Sequence, residues 1–249
     1  MRKNFIRYLT YVFLVVALLV ALAAWYLDPY NPDDAAMQAM RAGDGVSVIE
    51  QGGLLVFKGG ETTPPGIILY PGGLVGPESY APLARLLAMS GHRTVIVKMP
   101  LNLAFTGVDR ASDVLKAYPE EPFVIGGHSL GGSMASRYAA SHPERILGVF
   151  FLASYPDQKG SLKDKKLPVL SLIGSRDGVV NRSEYEKARQ YLPDNAMYMT
   201  VAGGNHAQFG SYGAQKGDQP AVILPGDQWQ QTVAVMKEWM KSTVAGLER

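Results

Sequence analysis

No cysteine occurs anywhere in the 249 residues. Disulfides, thiolate metal sites and a cysteine nucleophile are therefore excluded, and either redox compartment suits the chain. Histidine is nearly as scarce. There are four, at 92, 128, 142 and 206, and no two stand at the short spacings that metal ligands use. Charge is also thin, at 18% of residues and a formal net of +2, part of it from Arg2, Lys3 and Arg7. No basic field exists to attract nucleic acid. A phosphate-cradling G-x-x-x-x-G-K-[ST] loop is missing too, so neither metal nor organic cofactor is expected. No repeat or low-complexity tract interrupts the sequence.

Against this background the N-terminus stands out. Residues 8–27, "YLTYVFLVVALLVALAAWYL", carry no charge. Twenty residues at about 1.5 Å each reach roughly 30 Å, the thickness of a bilayer's hydrocarbon core. Arg2, Lys3 and Arg7 precede the run, whereas Asp28, Asp33 and Asp34 follow it. The positive-inside rule then puts residue 1 in the cytoplasm and the rest of the chain outside. Trp25 and Tyr26 sit where an interfacial aromatic belt belongs. The run is longer than a signal peptide's apolar centre, so residues 1–30 read as a retained signal anchor. Cleavage near Ala21-Leu22-Ala23, releasing a secreted domain, is the alternative. Residues 31–45 read as a polar linker and 46–249 as one domain.

Within that domain short apolar runs alternate with amphipathic stretches. "VSVIE" and "LLVFK", joined by Gln51-Gly52-Gly53, predict a hairpin. Strands are predicted at 66–70, 94–99, 123–127, 146–154, 168–174 and 197–203. Helices are predicted at 79–90, 110–118, 130–143, 183–192 and 227–247. Strands alternating with helices require crossovers, hence an α/β fold with about eight strands in a mostly parallel sheet covered on both faces.

One strand-to-helix corner carries unusual chemistry. Gly127-His128-Ser129-Leu130-Gly131 follows "FVI" and opens a helix. A serine in G-x-S-x-G at such a corner occupies a tight turn that exposes its oxygen at the sheet's edge. The pentapeptide alone is weak evidence, because a glycine-eased corner with a capping serine reads the same way. A nucleophilic serine also needs a base and an orienting acid, which in this architecture follow in the order Ser, acid, His. Only His206 follows Ser129 after a later strand. His128 is expected to point elsewhere, His142 ends a helix, and His92 enters a strand from the wrong side. Among the acids, Asp177 leaves the penultimate strand at the correct edge and Asp157 is the runner-up. Asp194 lies on the opposite edge and Asp164 in the solvated "KDKK". An oxyanion hole needs the Leu130 N–H and a second N–H from the loop after the third strand. "YPGG" at 70–73 supplies it, with Gly73 the first choice and Leu74 the second.

These residues resemble the α/β-hydrolase superfamily over residues 46–249, in a compact layout similar to the dienelactone-hydrolase-like branch. The resemblance implies Ser129 as nucleophile, Asp177 as acid and His206 as base. It departs from many members at "YPGG", which stands in place of a His-Gly pair. Only "YPDQKGSLKDKK" (155–166) occupies the usual lid position, so an open pocket for a small or surface-presented ester is expected. In the glycine- and amide-rich 203–219 loop, Asn205, Gln208 and Tyr212 are candidates to hold His206 or the substrate. Hydrolysis of a carboxylic ester or related acyl bond is the reading that follows. An acyltransferase with the same triad, or a non-catalytic membrane-tethered binding protein, are the alternatives. The sequence is silent on oligomeric state.

Overall fold

Gly52 and Gly53 both take positive φ, 60° and 79°. That is the pair a two-residue turn needs to match the twist of its strands. It closes an antiparallel hairpin of β1 (Ser47–Gln51) and β2 (Leu54–Lys58). The structure is a computed structural model that describes the backbone of residues 2–26 and 28–247 and the side chains of 5–18 and 28–243. From β2 the chain builds β3 (Gly66–Tyr70), α3 (Ala81–Met89), β4 (Thr94–Val97), α4 (Ala111–Ala117), β5 (Phe123–His128) and α5 (Leu130–Ser141). It continues through β6 (Val149–Leu152), β7 (Val169–Gly174), α6 (Arg182–Lys187) and β8 (Met197–Val201) to α7 (Pro225–Leu247). Two helices precede the hairpin, α1 (Arg2–Tyr26) and α2 (Asp34–Ala39).

The strands form one eight-stranded sheet in the order β1-β2-β4-β3-β5-β6-β7-β8. Pairing is antiparallel from β1 through β4 and parallel from β4 to β8. The central parallel strands β3, β5, β6 and β7 are covered on both faces and buried at every position, whereas the edge strand β8 is largely exposed. Ile67 and Leu69 of β3 face α3 and α7, packing with Leu83, Leu87, Trp239 and Met240. Ile68 and Tyr70 face α4 and α5, packing with Val114, Leu115, Met134 and Tyr138. All parallel strands end at one edge, where the connecting loops gather.

Two predicted helices are shorter than expected. The 79–90 segment starts as a 3-10 turn, Pro77–Tyr80, before α3. The 183–192 segment gives way after Lys187 to a 3-10 turn, Ala188–Tyr191, as Pro193 approaches. Residues 31–45, read as a linker, contain α2. Asp33 caps it by accepting from Ala36 N–H, and Ala36 and Ala39 are buried. The Arg85 guanidinium then clamps the stretch through the carbonyls of Ala39, Arg41 and Gly43.

The N-terminal segment is a single helix. Among the described residues no helix is long and apolar enough to cross a membrane. The side chains of 19–27, within the expected anchor, lie outside the described residues.

Candidate active site

Ser129 sits between the last residue of β5 and the first of α5, with φ 50° and ψ −123°. A non-glycine residue held there costs of the order of 1–3 kcal/mol and persists only when its surroundings fix it. Here Ser129 N–H donates to Leu152 O (3.0 Å), and Ser129 O accepts from Gly132 N–H (3.1 Å) and Ser154 Oγ (2.5 Å). The glycines on either side are required by close approach. A Cβ on Gly131 would lie 2.2 Å from Tyr70 O, and one on Gly127 2.4 Å from the same oxygen. The corner thus presses directly on the end of β3, and only a residue without a side chain fits at either position.

Asp177 leaves β7 and His206 leaves β8 at the same edge. His206 Nδ1 lies 2.9 Å from Asp177 Oδ2, with both side chains excluded from solvent. Asp177 Oδ1 accepts from the N–H groups of Val179 and Val180, each at 2.9 Å. Burial pushes the carboxyl up, but His206 and the two backbone donors outweigh it, so the group is held below the ordinary carboxylate value. An ionised Asp177 accepts the Nδ1 proton, which leaves Nε2 as the acceptor nitrogen of the ring. That Nε2 is buried and has no hydrogen-bond partner.

The loop after β3 closes the third side. A Cβ on Gly73 would lie 3.1 Å from Leu130 Cδ2, so the two residues face one another. Among the described residues no acceptor is found for the N–H of Gly73 or of Leu130. Leu74 differs from what the sequence suggested. Its N–H already donates to Asn102 O at 2.7 Å, so of the two expected donors after β3 only Gly73 is unengaged.

His128, expected to point away, is instead packed beneath the base. Its ring lies 4.5 Å from that of His206, and its Nδ1 is 2.8 Å from Tyr80 Oη. Gly72 N–H donates to the same Tyr80 oxygen at 2.9 Å. Tyr80 therefore bridges the Gly73-bearing loop and His128 through one hydroxyl. Burial, together with the neighbouring His206, keeps His128 neutral by lowering its pKa well below the ordinary value. The Tyr80 hydroxyl is pushed up by burial and stays protonated.

Of the three loop candidates, Asn205 and Tyr212 bond within the loop. Asn205 donates to Gln219 O (2.8 Å) and accepts from Gln208 N–H (3.0 Å), and Tyr212 Oη donates to Gln215 (2.9 Å). Their polar groups stabilise the loop itself, and none bonds the His206 imidazole. Gln208 Oε1 is buried without a partner. Asp218, which sequence reasoning missed, accepts Gly178 N–H (3.0 Å) with one oxygen and Ala207 N–H (2.9 Å) with the other. It joins the turn behind Asp177 to the turn behind His206. Asp157, the runner-up acid, is instead paired with Arg137 and caps a turn at Gly160.

Comparison with known proteins identifies the family and the fold. A model of the Alpha/beta hydrolase family matches residues 66–230. No curated protein matches the chain. Among solved structures, a membrane phospholipase A described as a novel bacterial virulence factor has a TM-score of 0.60 at 15% identity, covering 98% of this chain and 99% of that one. A putative lipase from Acinetobacter baumannii AYE gives 0.57 at 15% identity, over 84% and 95%. A thioesterase domain from the curacin biosynthetic pathway gives 0.57 at 13% identity, over 78% and 98%. At these identities the structural likeness speaks to the fold alone.

Proposed function

Since the chain belongs to the alpha/beta hydrolase family and is a hydrolase, we propose that it cleaves a carboxylic ester or related acyl bond through Ser129, His206 and Asp177. The observation that carries this reading is the buried His206–Asp177 pair, whose Nε2 is left without a partner, at the same edge of the sheet as a corner serine with φ 50°. Asp177 fixes the Nδ1–H tautomer, so Nε2 accepts the Ser129 hydroxyl proton as Oγ bonds to the acyl carbon. The carbonyl oxygen gains the negative charge. The N–H groups of Gly73 and Leu130 stabilise it, helped by the positive end of α5. The intermediate then collapses. The acyl–oxygen bond to the alcohol breaks, and His206 delivers the proton to the departing oxygen. Water repeats the sequence: His206 takes its proton as the oxygen adds to the acyl carbon, and His206 then returns that proton to Ser129 Oγ as the Ser129 ester bond breaks and the acid is released. No step needs a metal or organic group.

Access to the site is open in this reading. Between β6 and β7 the chain forms only loops and one short turn, Gln158–Gly160. That stretch is too short for a cap, in keeping with the compact dienelactone-hydrolase-like layout.

The second part of the proposal concerns α1, as a retained anchor with the domain on the outer face of the membrane. Large apolar side chains from Phe5 to Leu18 point outward on every side of the helix and are 41–70% exposed. Among the described residues no protein layer covers them. Burying each such side chain is worth roughly 1.5–3 kcal/mol, and lipid is the solvent that can do so all round. The charge bias across the segment supports the orientation. A membrane phospholipase A among the neighbours, aligned along nearly its whole length, is in keeping with such an anchor.

A fluorophosphonate probe tests the core of the proposal. Stoichiometric labelling, abolished by Ser129→Ala, together with turnover of p-nitrophenyl esters, is the expected outcome. Labelling that survives the substitution would refute it. An alcohol or amine acceptor that diverts most of the product identifies a transferase instead.

A further inference from the structure

The chain leaving α1 is short, and it lands on the mouth of the candidate site. Only residues 27–29 separate Tyr26, the last residue of α1, from Tyr30. Tyr30 N–H donates to Leu74 O (2.7 Å), and Tyr30 O accepts from Gly76 N–H (2.9 Å). Three residues later Asp33 N–H donates to Ser211 O (3.0 Å), and Ser211 Oγ donates to Asp33 Oδ1 (2.6 Å). The tether is therefore stitched to the Gly73-bearing loop on one side and the His206-bearing loop on the other. Four residue steps span at most about 14 Å. A helix crossing a bilayer and ending at Tyr26 holds this edge of the sheet against the bilayer surface.

Exposed apolar side chains gather at that same edge. Leu101 and Phe105, 67% and 55% exposed, belong to the loop after β4 whose Asn102 carbonyl holds Leu74 N–H. Val222 and Leu224 are each 71% exposed. Val222 N–H donates to Gly203 O (2.9 Å), so this segment borders the His206 loop. The remaining large exposed apolar residues outside α1, among the described residues, are on α2 just after the tether (Met37), the first strand (Ile49), the C-terminal end of α3 (Met89) and the edge strand β8 (Met197, Met199). Two apolar projections thus flank the mouth, one on the oxyanion side and one on the base side, with the tether between them. Clustered exposed apolar side chains mark a surface with a partner, and the tether length names the partner as lipid.

We propose that the rim of the site docks on the membrane that holds α1, with Leu101, Phe105, Val222 and Leu224 in its interfacial layer. The substrate is then an acyl ester resident in that same leaflet, reaching Ser129 without crossing water. This deepens the hydrolase reading and rests on α1 being a membrane anchor.

The absence of native cysteine makes a direct test simple. Single variants Phe105→Cys, Val222→Cys, Met89→Cys and Val15→Cys of the full chain are labelled with an environment-sensitive fluorophore and reconstituted into phosphatidylcholine vesicles. Nitroxide-bearing lipid is expected to quench the probes at 15, 105 and 222, while the probe at 89 responds only to aqueous iodide. Quenching at 15 with 105 and 222 as open to iodide as 89 overturns the docking surface and leaves the anchor standing. No lipid quenching at 15 removes the anchor, and this inference with it. For the substrate, 4-methylumbelliferyl palmitate is dissolved either in the enzyme's own vesicles or in separate ones. Hydrolysis about tenfold or more faster in the shared membrane is expected from effective concentration. Equal rates overturn the leaflet-resident substrate, and the water-soluble butyrate ester serves as the control that the enzyme is active.

Discussion

Replacing Asp177 by Asn tests the proposed site through one proton. In the structure Asp177 Oδ1 takes two backbone donors, Val179 and Val180 N–H, while Oδ2 takes His206 Nδ1. An asparagine has a single oxygen to offer. Two N–H groups fixed by the backbone repel an NH2, so the side-chain oxygen settles on them and the NH2 turns toward His206. Nδ1 must then act as acceptor, and the imidazole proton moves to Nε2. A base with its proton on Nε2 cannot accept one from Ser129. In serine hydrolysis a wrong tautomer of this kind costs about 10^4 in kcat, equivalent to about 5.4 kcal/mol of barrier.

Two measurements separate this account from a general loss of structure. Steady-state turnover of a p-nitrophenyl ester should fall about 10^4-fold in kcat with little change in KM. Urea unfolding near neutral pH should shift by no more than about 1–2 kcal/mol, because the Val179 and Val180 bonds survive. The acid side supplies a further check. A carboxyl held below its ordinary value stabilises the fold above the unfolded pKa and loses that contribution as pH falls through the folded one. The contribution of the Asp177 carboxylate should therefore be lost as pH falls below about 4, narrowing the stability difference between the parent and Asp177→Asn there. An Asp177→Asn protein with kcat within tenfold of the parent, while Ser129→Ala is inactive, would refute the assignment of Asp177 as the orienting acid.

Other substitutions probe the supports. Gly131→Ala drives a Cβ to 2.2 Å from Tyr70 O and 2.4 Å from Pro71 O, both backbone atoms. A loss of about 3 kcal/mol is expected, seen by scanning calorimetry as a fall of roughly 6–12 °C in a chain of this size. His128 stays neutral when folded, whereas the unfolded chain binds a proton below about pH 6.5. Its presence should therefore erode stability on acidification by up to about 1.4 kcal/mol per pH unit. Urea unfolding at pH 7, 6 and 5 should show a shallower decline in His128→Asn; an unchanged slope contradicts a buried, neutral ring. Asp218→Ala strands the N–H groups of Gly178 and Ala207 and uncouples the acid turn from the base turn. Stability should fall about 1–3 kcal/mol, with kcat dropping further than KM changes; unaltered kcat assigns Asp218 a purely structural part.

What could be read from the sequence, and what could not, follows from the range of the interactions concerned. β-Branched runs and the Gly52-Gly53 turn act over a few residues, so the α/β layout and the hairpin were visible without coordinates. The Ser129 corner was visible too, because G-x-S-x-G between a strand and a helix is one contiguous pattern, although the crowding that its glycines relieve comes from the distant Tyr70. With only four histidines, chain order alone reduced the choice of base to His206. The Tyr80–His128 contact joins residues 48 apart, and no local pattern marks a tyrosine as the partner of a distant imidazole. The engagement of Leu74, with Asn102, is non-local as well. It depends on Leu101 and Asn102 both turning into the left-handed region, at φ 54° and 53°, which aims the Asn102 carbonyl at it.

Loop 203–219 shows why residue type alone misleads. Its amides and Tyr212 suggested contacts with His206 or substrate, yet a long irregular loop has backbone donors that no ladder satisfies. Asn205 and Asp218 serve those donors, at Gln208 and at Gly178 and Ala207. The same logic reaches the tether. Residues 28–33 looked like spacer because they are polar and hold two prolines, but Tyr30 and Asp33 supply backbone partners to the two loops that flank Ser129. A segment that completes the hydrogen bonding of both walls of a site cannot be a passive leash. Where it emerges from the membrane decides where the mouth of the site must sit.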